Sequence, residues 1–76
     1  MKVLIADDHP VIRRGVKQIL SEDMINVQFG EVENAKGALV KINKNKWDIL
    51  ILDINLPDMN GLEVLRQVKL LKFDLP

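Results

Sequence analysis

The sequence predicts an α/β fold in which three parallel strands carry helices on both faces. Two short, continuous apolar runs each end at an aspartate, and segments with helically spaced apolar residues separate the strand-like segments. Strand and helix alternate three times without an internal repeat or a linker, which is typical of a parallel sheet with right-handed crossovers. The 76 residues are enough for one domain at most.

The first strand is predicted at residues 3–6, and the first helix follows it from Pro10. Residues 3–6 form a branched apolar run, which favours a strand covered on both faces. Pro10 suits the first turn of a helix, and an apolar face follows it at helical spacing. The residues of this face are Ile12, Val16, Ile19 and Leu20.

A second strand and helix are predicted next. Between residues 26 and 32, Val27 and Phe29 alternate with Gln28, which predicts an edge strand with one wetter face. Asn34 can cap the following helix, although Gly37 weakens that helix by up to roughly 1 kcal/mol relative to alanine. Its expected buried residues are Ala35, Ala38, Leu39 and Ile42, and the lysines and asparagines of residues 43–46 end it.

Residues 49–52 form the second continuous apolar run and predict a third strand, whose lower end we expect Trp47 to cover. Residues 55–61 carry turn-forming side chains, and Asn60 with Glu63 resembles a capping box for a third helix. The predicted apolar stripe of that helix is Leu62, Leu65, Val68 and Leu71.

The edge-like second strand fixes the expected sheet order as 2-1-3. The third strand is then a second edge, although its composition is that of an interior strand. An exposed edge of this kind invites pairing with another chain. We therefore expect the chain by itself to form a homodimer.

Composition excludes several classes of function. Eleven basic and eleven acidic side chains cancel, so we expect no direct binding of nucleic acid and no attraction to an anionic membrane. The chain has no cysteine, which fits a reducing compartment, and we expect a cytoplasmic location. The first apolar run is too short for a signal peptide or a membrane span.

Three carboxylates follow the two apolar strands. Asp7 and Asp8 close the first strand and Asp53 closes the third, so neighbouring strands would bring them into one crevice. Like charges at such a distance repel, and Mg²⁺, which prefers oxygen ligands, would compensate them. A carboxylate beside Mg²⁺ can attack phosphorus and form an acyl phosphate. Each aspartate alone would be an ordinary turn residue, and His9 is taken as a surface or capping residue outside this chemistry.

The strings Asp7-Asp8-His9-Pro10 and residues 51–57, ending at Pro57, together with Gly61, resemble the receiver domain of two-component response regulators. Residues 7–15 are especially similar to the NarL/FixJ (LuxR-type) class, in which a receiver is joined to a helix-turn-helix domain. The resemblance covers the whole chain. It implies a flavodoxin-like, three-layer fold, here truncated after three βα units.

The resemblance implies a role for each site residue. Asp53 matches the acceptor that takes a phosphoryl group from a sensor histidine kinase, and Asp8 matches the direct Mg²⁺ ligand. Asp7 matches the acid that holds metal-bound water, and Asn55 would add its backbone carbonyl as a ligand. A receiver of this kind is not an enzyme, apart from weak hydrolysis of its own acyl phosphate, and in the full-length protein it would control transcription.

Receivers normally have five strands. The hydroxyl residue that ends the fourth strand and the lysine that ends the fifth have no counterpart in this sequence. We therefore expect residues 1–76 to be the N-terminal part (β1-α1-β2-α2-β3-α3) of a single receiver domain, without the fourth and fifth βα units and without a DNA-binding domain.

Two alternatives stay open. The chain could be a truncated receiver that acts only as a dimerising fragment without signalling. The chain could also be a haloacid-dehalogenase-like phosphatase, which would use an aspartyl phosphate as well. The pattern of that family is Asp-x-Asp after the first strand, whereas Asp7 and Asp8 are adjacent here. Nucleotide binding is disfavoured because no glycine-rich loop follows Ala6.

Overall fold

The computed structural model describes residues 1–23 and 26–71, and strands alternate with helices throughout that part. The strands are β1 (Lys2–Ala6), β2 (Gln28–Val32) and β3 (Ile49–Leu52). The helices are α1 (Pro10–Asp23), α2 (Ala35–Lys44) and α3 (Gly61–Leu71). The strands are parallel in the order β2-β1-β3, which confirms the predicted fold class and sheet order.

The two crossovers leave β1 in opposite directions. The β1-α1-β2 connection moves to one side of β1, and the β2-α2-β3 connection passes β1 to reach the other side. Right-handed crossovers in opposite directions place their helices on opposite faces of the sheet. α1 therefore lies on one face, whereas α2 packs against α3 on the other.

The main core lies between the sheet and the α2–α3 layer. Strand alternation turns Leu4 and Ala6 of β1 toward this layer, where both are fully buried. The helices and the β3–α3 loop contribute the remaining buried members, which are Ala35, Ala38, Ile42, Leu56, Val64 and Val68. For α2, the prediction that Ala35, Ala38 and Ile42 are buried is confirmed, and Leu39 is half-buried.

The opposite face of the sheet is less well covered. Val3 and Ile5 are buried there, but α1 itself has no buried residue. Of the predicted apolar face, Val16 and Leu20 are half-buried, whereas Ile12 and Ile19 are 51% and 61% exposed. The predicted burial of Ile12 and Ile19 is wrong, because one helix over three strands leaves its flanks uncovered.

The start of α2 confirms the predicted cap. Asn34 has an extended backbone, and its Oδ1 accepts a hydrogen bond of 2.7 Å from the amide of Gly37. This bond satisfies one of the amides that a helix N-terminus leaves without an intrahelical acceptor.

The predicted apolar stripe of α3 is confirmed at Val68 and wrong at Leu62 and Leu65. Leu62 and Leu65 are 63% and 42% exposed, whereas Val64 and Val68 are buried; the side chain of Leu71 lies outside the described residues. Gly61 gives the physical reason, since a Cβ on it would lie 2.5 Å from the carbonyl oxygen of Asp53. This close approach turns the Gly61 side of the helix inward, and positions three and seven residues later share that side.

Only half of the predicted capping box forms. Asn60 Oδ1 accepts a hydrogen bond of 2.7 Å from the amide of Leu62. The Glu63 carboxylate is instead paired with Arg66 at 3.0 Å, and this hydrogen bond lowers the pKa of Glu63. The reciprocal bond from Glu63 to the helix start is therefore replaced by a pair along the helix.

Trp47 packs on the edge strand β2, a contact that the sequence analysis did not predict. Its ring lies over Gly30 of β2, so close that a Cβ on Gly30 would collide with it, and its Nε1 donates to the Lys41 carbonyl at 3.0 Å. The side chain thus covers the edge strand on the far side of β1, and its expected contact with the lower end of β3 stays a prediction.

β3 pairs with β1 alone within residues 1–23 and 26–71, so it is the second edge that the sequence predicted. All four of its residues are half-buried. In the same part of the chain, no helix combines the length and the apolar character that crossing a membrane requires.

Candidate metal centre

The carboxyl ends of β1 and β3 lie side by side. Ala6 pairs with Leu52 in the parallel register, and the amide of Asp53 donates to the carbonyl of Ala6 at 2.9 Å. Asp7 and Asp53 therefore leave the sheet from adjacent positions. The predicted convergence of the acidic residues that follow β1 and β3 is found in the structure.

The site holds three carboxylates and one imidazole. One oxygen each from Asp7, Asp8 and Asp53, with a ring nitrogen of His9, lie within 4.8 Å of one another. The Asp7 and Asp53 side chains are 14% and 21% exposed, whereas that of Asp8 is 36% exposed. The cluster thus has a sheltered floor and one side open to solvent.

His9 lies inside this cluster, although the sequence analysis left it out of the chemistry. Its Nδ1 is 2.7 Å from Asp7 Oδ1, 3.0 Å from Asp8 Oδ1 and 3.7 Å from Asp53 Oδ2. The hydrogen bond with Asp7 and the charge of Asp8 raise the pKa of His9. The side chain is 61% exposed, so it covers the carboxylates from the solvent side.

Asp53 is held by the turn that follows it. Its Oδ1 accepts a hydrogen bond of 3.1 Å from the amide of Asn55, and Asn55 forms an isolated antiparallel bridge with Asn60. The backbone of Asn55 therefore approaches the cluster, but its bond to Asp53 runs through the amide. The role of the Asn55 carbonyl as a ligand stays a prediction.

Arg13 fixes the other side of the site. Its Nη1 donates to the backbone carbonyl of Asp7 at 2.6 Å, and its Nε donates to Glu31 of β2 at 3.1 Å. Lys17 pairs with the same Glu31 at 2.9 Å, and the two bonds lower the pKa of Glu31, with Lys17 contributing most. The side chain of Arg13 is only 13% exposed, so it belongs to the wall of the site and not to a solvated helix face.

Asp58 is a structural residue that the sequence analysis missed. Its carboxylate accepts hydrogen bonds from the amides of Ala35 at 2.7 Å and Lys36 at 3.0 Å, at the start of α2. These bonds lower the pKa of Asp58. They also join the loop after Asp53 to α2, and local sequence contains no signal for a cap that comes from 22 residues further along the chain.

The donor set fits a divalent cation of the Mg²⁺ type. Mg²⁺ binds oxygen ligands, usually one or two carboxylates with several waters, and the open side of the cluster leaves room for water or a phosphate. A cation here would compensate the repulsion among three carboxylates. Asp7, Asp8 and Asp53 are the residues that would hold it.

The sheet order, the opposed crossovers and the acidic crevice at the carboxyl ends of adjacent strands define a flavodoxin-like α/β domain of the receiver type. The chain belongs to the response regulator receiver domain family, whose model matches residues 3–76. This confirms the resemblance that the Asp7-Asp8 pair, Asp53, Pro57 and Gly61 indicated.

The curated relatives of the chain include a transcriptional regulatory protein and a nitrate/nitrite response regulator. The chain is 40% identical over 68 residues to the transcriptional regulatory protein YdfI of Bacillus subtilis, covering 90% of this chain and 32% of that protein. It is 37% identical over 67 residues to the nitrate/nitrite response regulator NarL of Escherichia coli, covering 88% of this chain and 31% of that protein. The chain therefore spans about a third of the length of these relatives.

A solved structure of the response regulator TrrA of Thermotoga maritima, in complex with Mg²⁺-BeF, is similar to this fold. It is 35% identical, with a TM-score of 0.88, and the match covers 97% of this chain and 63% of that one. A second structure shows TrrA in complex with the histidine kinase ThkA, with 35% identity, a TM-score of 0.87, and coverage of 97% of this chain and 62% of that one.

Proposed function

We propose that Asp53 accepts a phosphoryl group from the phosphohistidine of a sensor histidine kinase, with Mg²⁺ held by Asp7, Asp8, Asp53 and the backbone carbonyl of Asn55. The observation that carries the proposal is the convergence of the three carboxylates at the ends of two paired strands. An apolar core does not require this arrangement, and the repulsion among the charges makes it costly without a cation.

The residues divide the chemistry between them. A carboxylate oxygen of Asp53 attacks phosphorus, the phosphorus–nitrogen bond of the phosphohistidine breaks, and the released imidazole takes up a proton. Mg²⁺, when bound, neutralises charge that develops on the phosphoryl oxygens. The Asn55 amide and the strand pairing at Ala6 hold Asp53 in place, and Asp7 and Asp8 orient the cation.

The test is phosphorylation by a small donor. Incubation with acetyl phosphate and Mg²⁺, preferably on the full-length protein, should add the mass of one phosphoryl group. Asp53→Asn should abolish the adduct, whereas Asp23→Asn, at the exposed end of α1, should leave it unchanged. An adduct that persists in Asp53→Asn, or that never forms in the full-length protein, would contradict the proposal.

The relatives supply the basis for proposing a wider role for the protein. Since TrrA forms a complex with a histidine kinase and YdfI is a transcriptional regulatory protein, we place a kinase upstream and control of transcription downstream. The chain itself acts as a phosphoacceptor in the cytoplasm, at most hydrolyses its own acyl phosphate, and leaves nucleic-acid binding to other parts of the parent. Family membership favours this role over the phosphatase alternative.

A second candidate role is self-association of this 76-residue chain, without signalling. Two features favour it: β3 offers an edge that no other strand pairs with in the described part, and Ile12, Ile19 and Leu62 are exposed. Analytical ultracentrifugation over a wide concentration range should show a homodimer. A monomer at high concentration would exclude the role.

A further inference from the structure

His9 is the one nitrogen donor in a cluster that otherwise offers carboxylate oxygens. Its Nδ1 approaches all three aspartates, at 2.7, 3.0 and 3.7 Å, without leaving the solvent-facing side of the site. The carboxylates and the imidazole therefore surround a common position rather than forming separate pairs.

The spacing suits a six-coordinate ion. With metal–ligand bonds of about 2.1 Å, neighbouring ligands of an octahedron lie roughly 3 Å apart and opposite ligands roughly 4.2 Å apart. The nitrogen–oxygen distances to Asp7 and Asp8 are close to the first value, and that to Asp53 lies between the two. Nδ1 can thus join the three carboxylates and the Asn55 carbonyl as a fifth protein ligand with only small side-chain movements.

We infer that His9 ligates the metal through Nδ1 and extends the site from Mg²⁺ to borderline first-row divalent ions such as Co²⁺. Imidazole suits transition ions, whereas Mg²⁺ is satisfied by carboxylate, carbonyl and water oxygens. This inference rests on the metal centre of the proposed function. It adds a residue and a metal preference that phosphoryl transfer to Asp53 does not itself require.

The chain offers a metal ion only one imidazole. The sequence has a single histidine and no cysteine, so His9 is the only side chain that can offer Co²⁺ an imidazole or thiolate ligand. The terminal amine lies at the other end of β1, where it donates to the Asn26 carbonyl at 3.2 Å. Five residues of extended strand separate it from the cluster.

The experiment compares Co²⁺ and Mg²⁺ affinities of the chain with those of His9→Asn, by titration calorimetry. Asparagine keeps a hydrogen-bond donor close to the position of Nδ1 but removes the imidazole ligand. We expect the Co²⁺ affinity to fall about tenfold or more and the Mg²⁺ affinity to change by less than about twofold. In proton NMR spectra, Co²⁺ should also shift the imidazole resonances, which come from His9 alone. Excess Mg²⁺ should restore their original positions.

The control variant is Asp8→Asn, which should weaken both ions. If it does so while His9→Asn changes neither affinity, or weakens both ions equally, His9 is not a ligand and the inference is overturned. If Asp8→Asn leaves both affinities unchanged, the metal centre of the proposed function fails as well. Because the His9 side chain is 61% exposed, its substitution should leave the fold intact, and far-ultraviolet circular dichroism of each variant checks this.

Discussion

Gly61 and Gly15 both lie in helices, and the structure predicts opposite effects for the same substitution to alanine. At Gly61, the first residue of α3, a Cβ would lie 2.5 Å from the Asp53 carbonyl oxygen and 2.6 Å from the Ile54 Cα. Real Cβ contacts are essentially never shorter than 3.0 Å, so the backbone must move by about half an ångström. At Gly15, in α1, a Cβ meets no atom within 4 Å.

The expected magnitudes follow from these contacts. Overpacking against backbone costs about 1–3 kcal/mol, which exceeds the gain of up to about 1 kcal/mol from replacing a helical glycine. Gly61→Ala should therefore lower the free energy of unfolding by about 1–2 kcal/mol, and Gly15→Ala should raise it by about 0.5–1 kcal/mol. For a domain of this size, 1 kcal/mol corresponds to roughly 4–8 °C in melting temperature.

Urea denaturation and thermal melting, followed by circular dichroism, measure both variants. Gly61→Ala should also weaken Mg²⁺ binding, because the displaced backbone belongs to Asp53, whereas Gly15→Ala should not. If the two variants change stability in the same direction, α3 does not pack closely on the β3–α3 loop at Gly61. The contact of Gly61 would then not explain which face of α3 is buried.

Three other predictions concern the metal centre, the tryptophan and the α2 cap. Adding Mg²⁺ should raise the melting temperature of the wild type. Asp8→Asn should raise the melting temperature in metal-free buffer, because it removes one repelling charge, and should make the melting temperature less dependent on Mg²⁺. A wild-type melting temperature that is insensitive to Mg²⁺ would contradict the convergence of the carboxylates. Gly30→Ala should destabilise the fold by about 1–3 kcal/mol and alter the fluorescence of Trp47, the only tryptophan; unchanged emission and stability would refute the packing of its ring on β2. Because Asp58 has a lowered pKa, its stabilising contribution is complete above the ordinary value of 3.8 and disappears as the pH falls through the folded value. The stability difference between the wild type and Asp58→Asn should therefore shrink in acid, and a difference that is constant with pH would refute the role of the carboxylate.

The sequence was sufficient to predict the sheet and the meeting of the carboxylates. A strand's apolar run is a local signal, and in a parallel sheet adjacent strands end at the same edge. Once β1 and β3 are neighbours, Asp7 and Asp53 must lie close together, whatever the loops do. The convergence was predictable because it depends on topology rather than on side-chain geometry.

The orientation of the helices was less predictable. The predicted stripe of α3 placed Leu62 and Leu65 on the same face as Val68, but the contact of Gly61 with the Asp53 backbone selects a face that buries Val64 together with Val68. Periodicity describes which residues share a face, and two faces of this helix carry apolar residues. The choice between them depends on a long-range contact that no local pattern encodes.

Three residues around the metal centre, two in loops and one in α1, show more sharply the difference between local signals and long-range contacts. Arg13, Asp58 and His9 all have ordinary local explanations as surface or turn residues, and each gains its role from a partner outside its own segment or from the crevice itself. Arg13 holds the Asp7 carbonyl, Asp58 holds the start of α2, and His9 covers the carboxylates. The repulsive cluster is thus fixed in position by hydrogen bonds to its backbone and to its loops, so a cation that binds there meets ligands already in place, and less of its binding free energy is needed to order them.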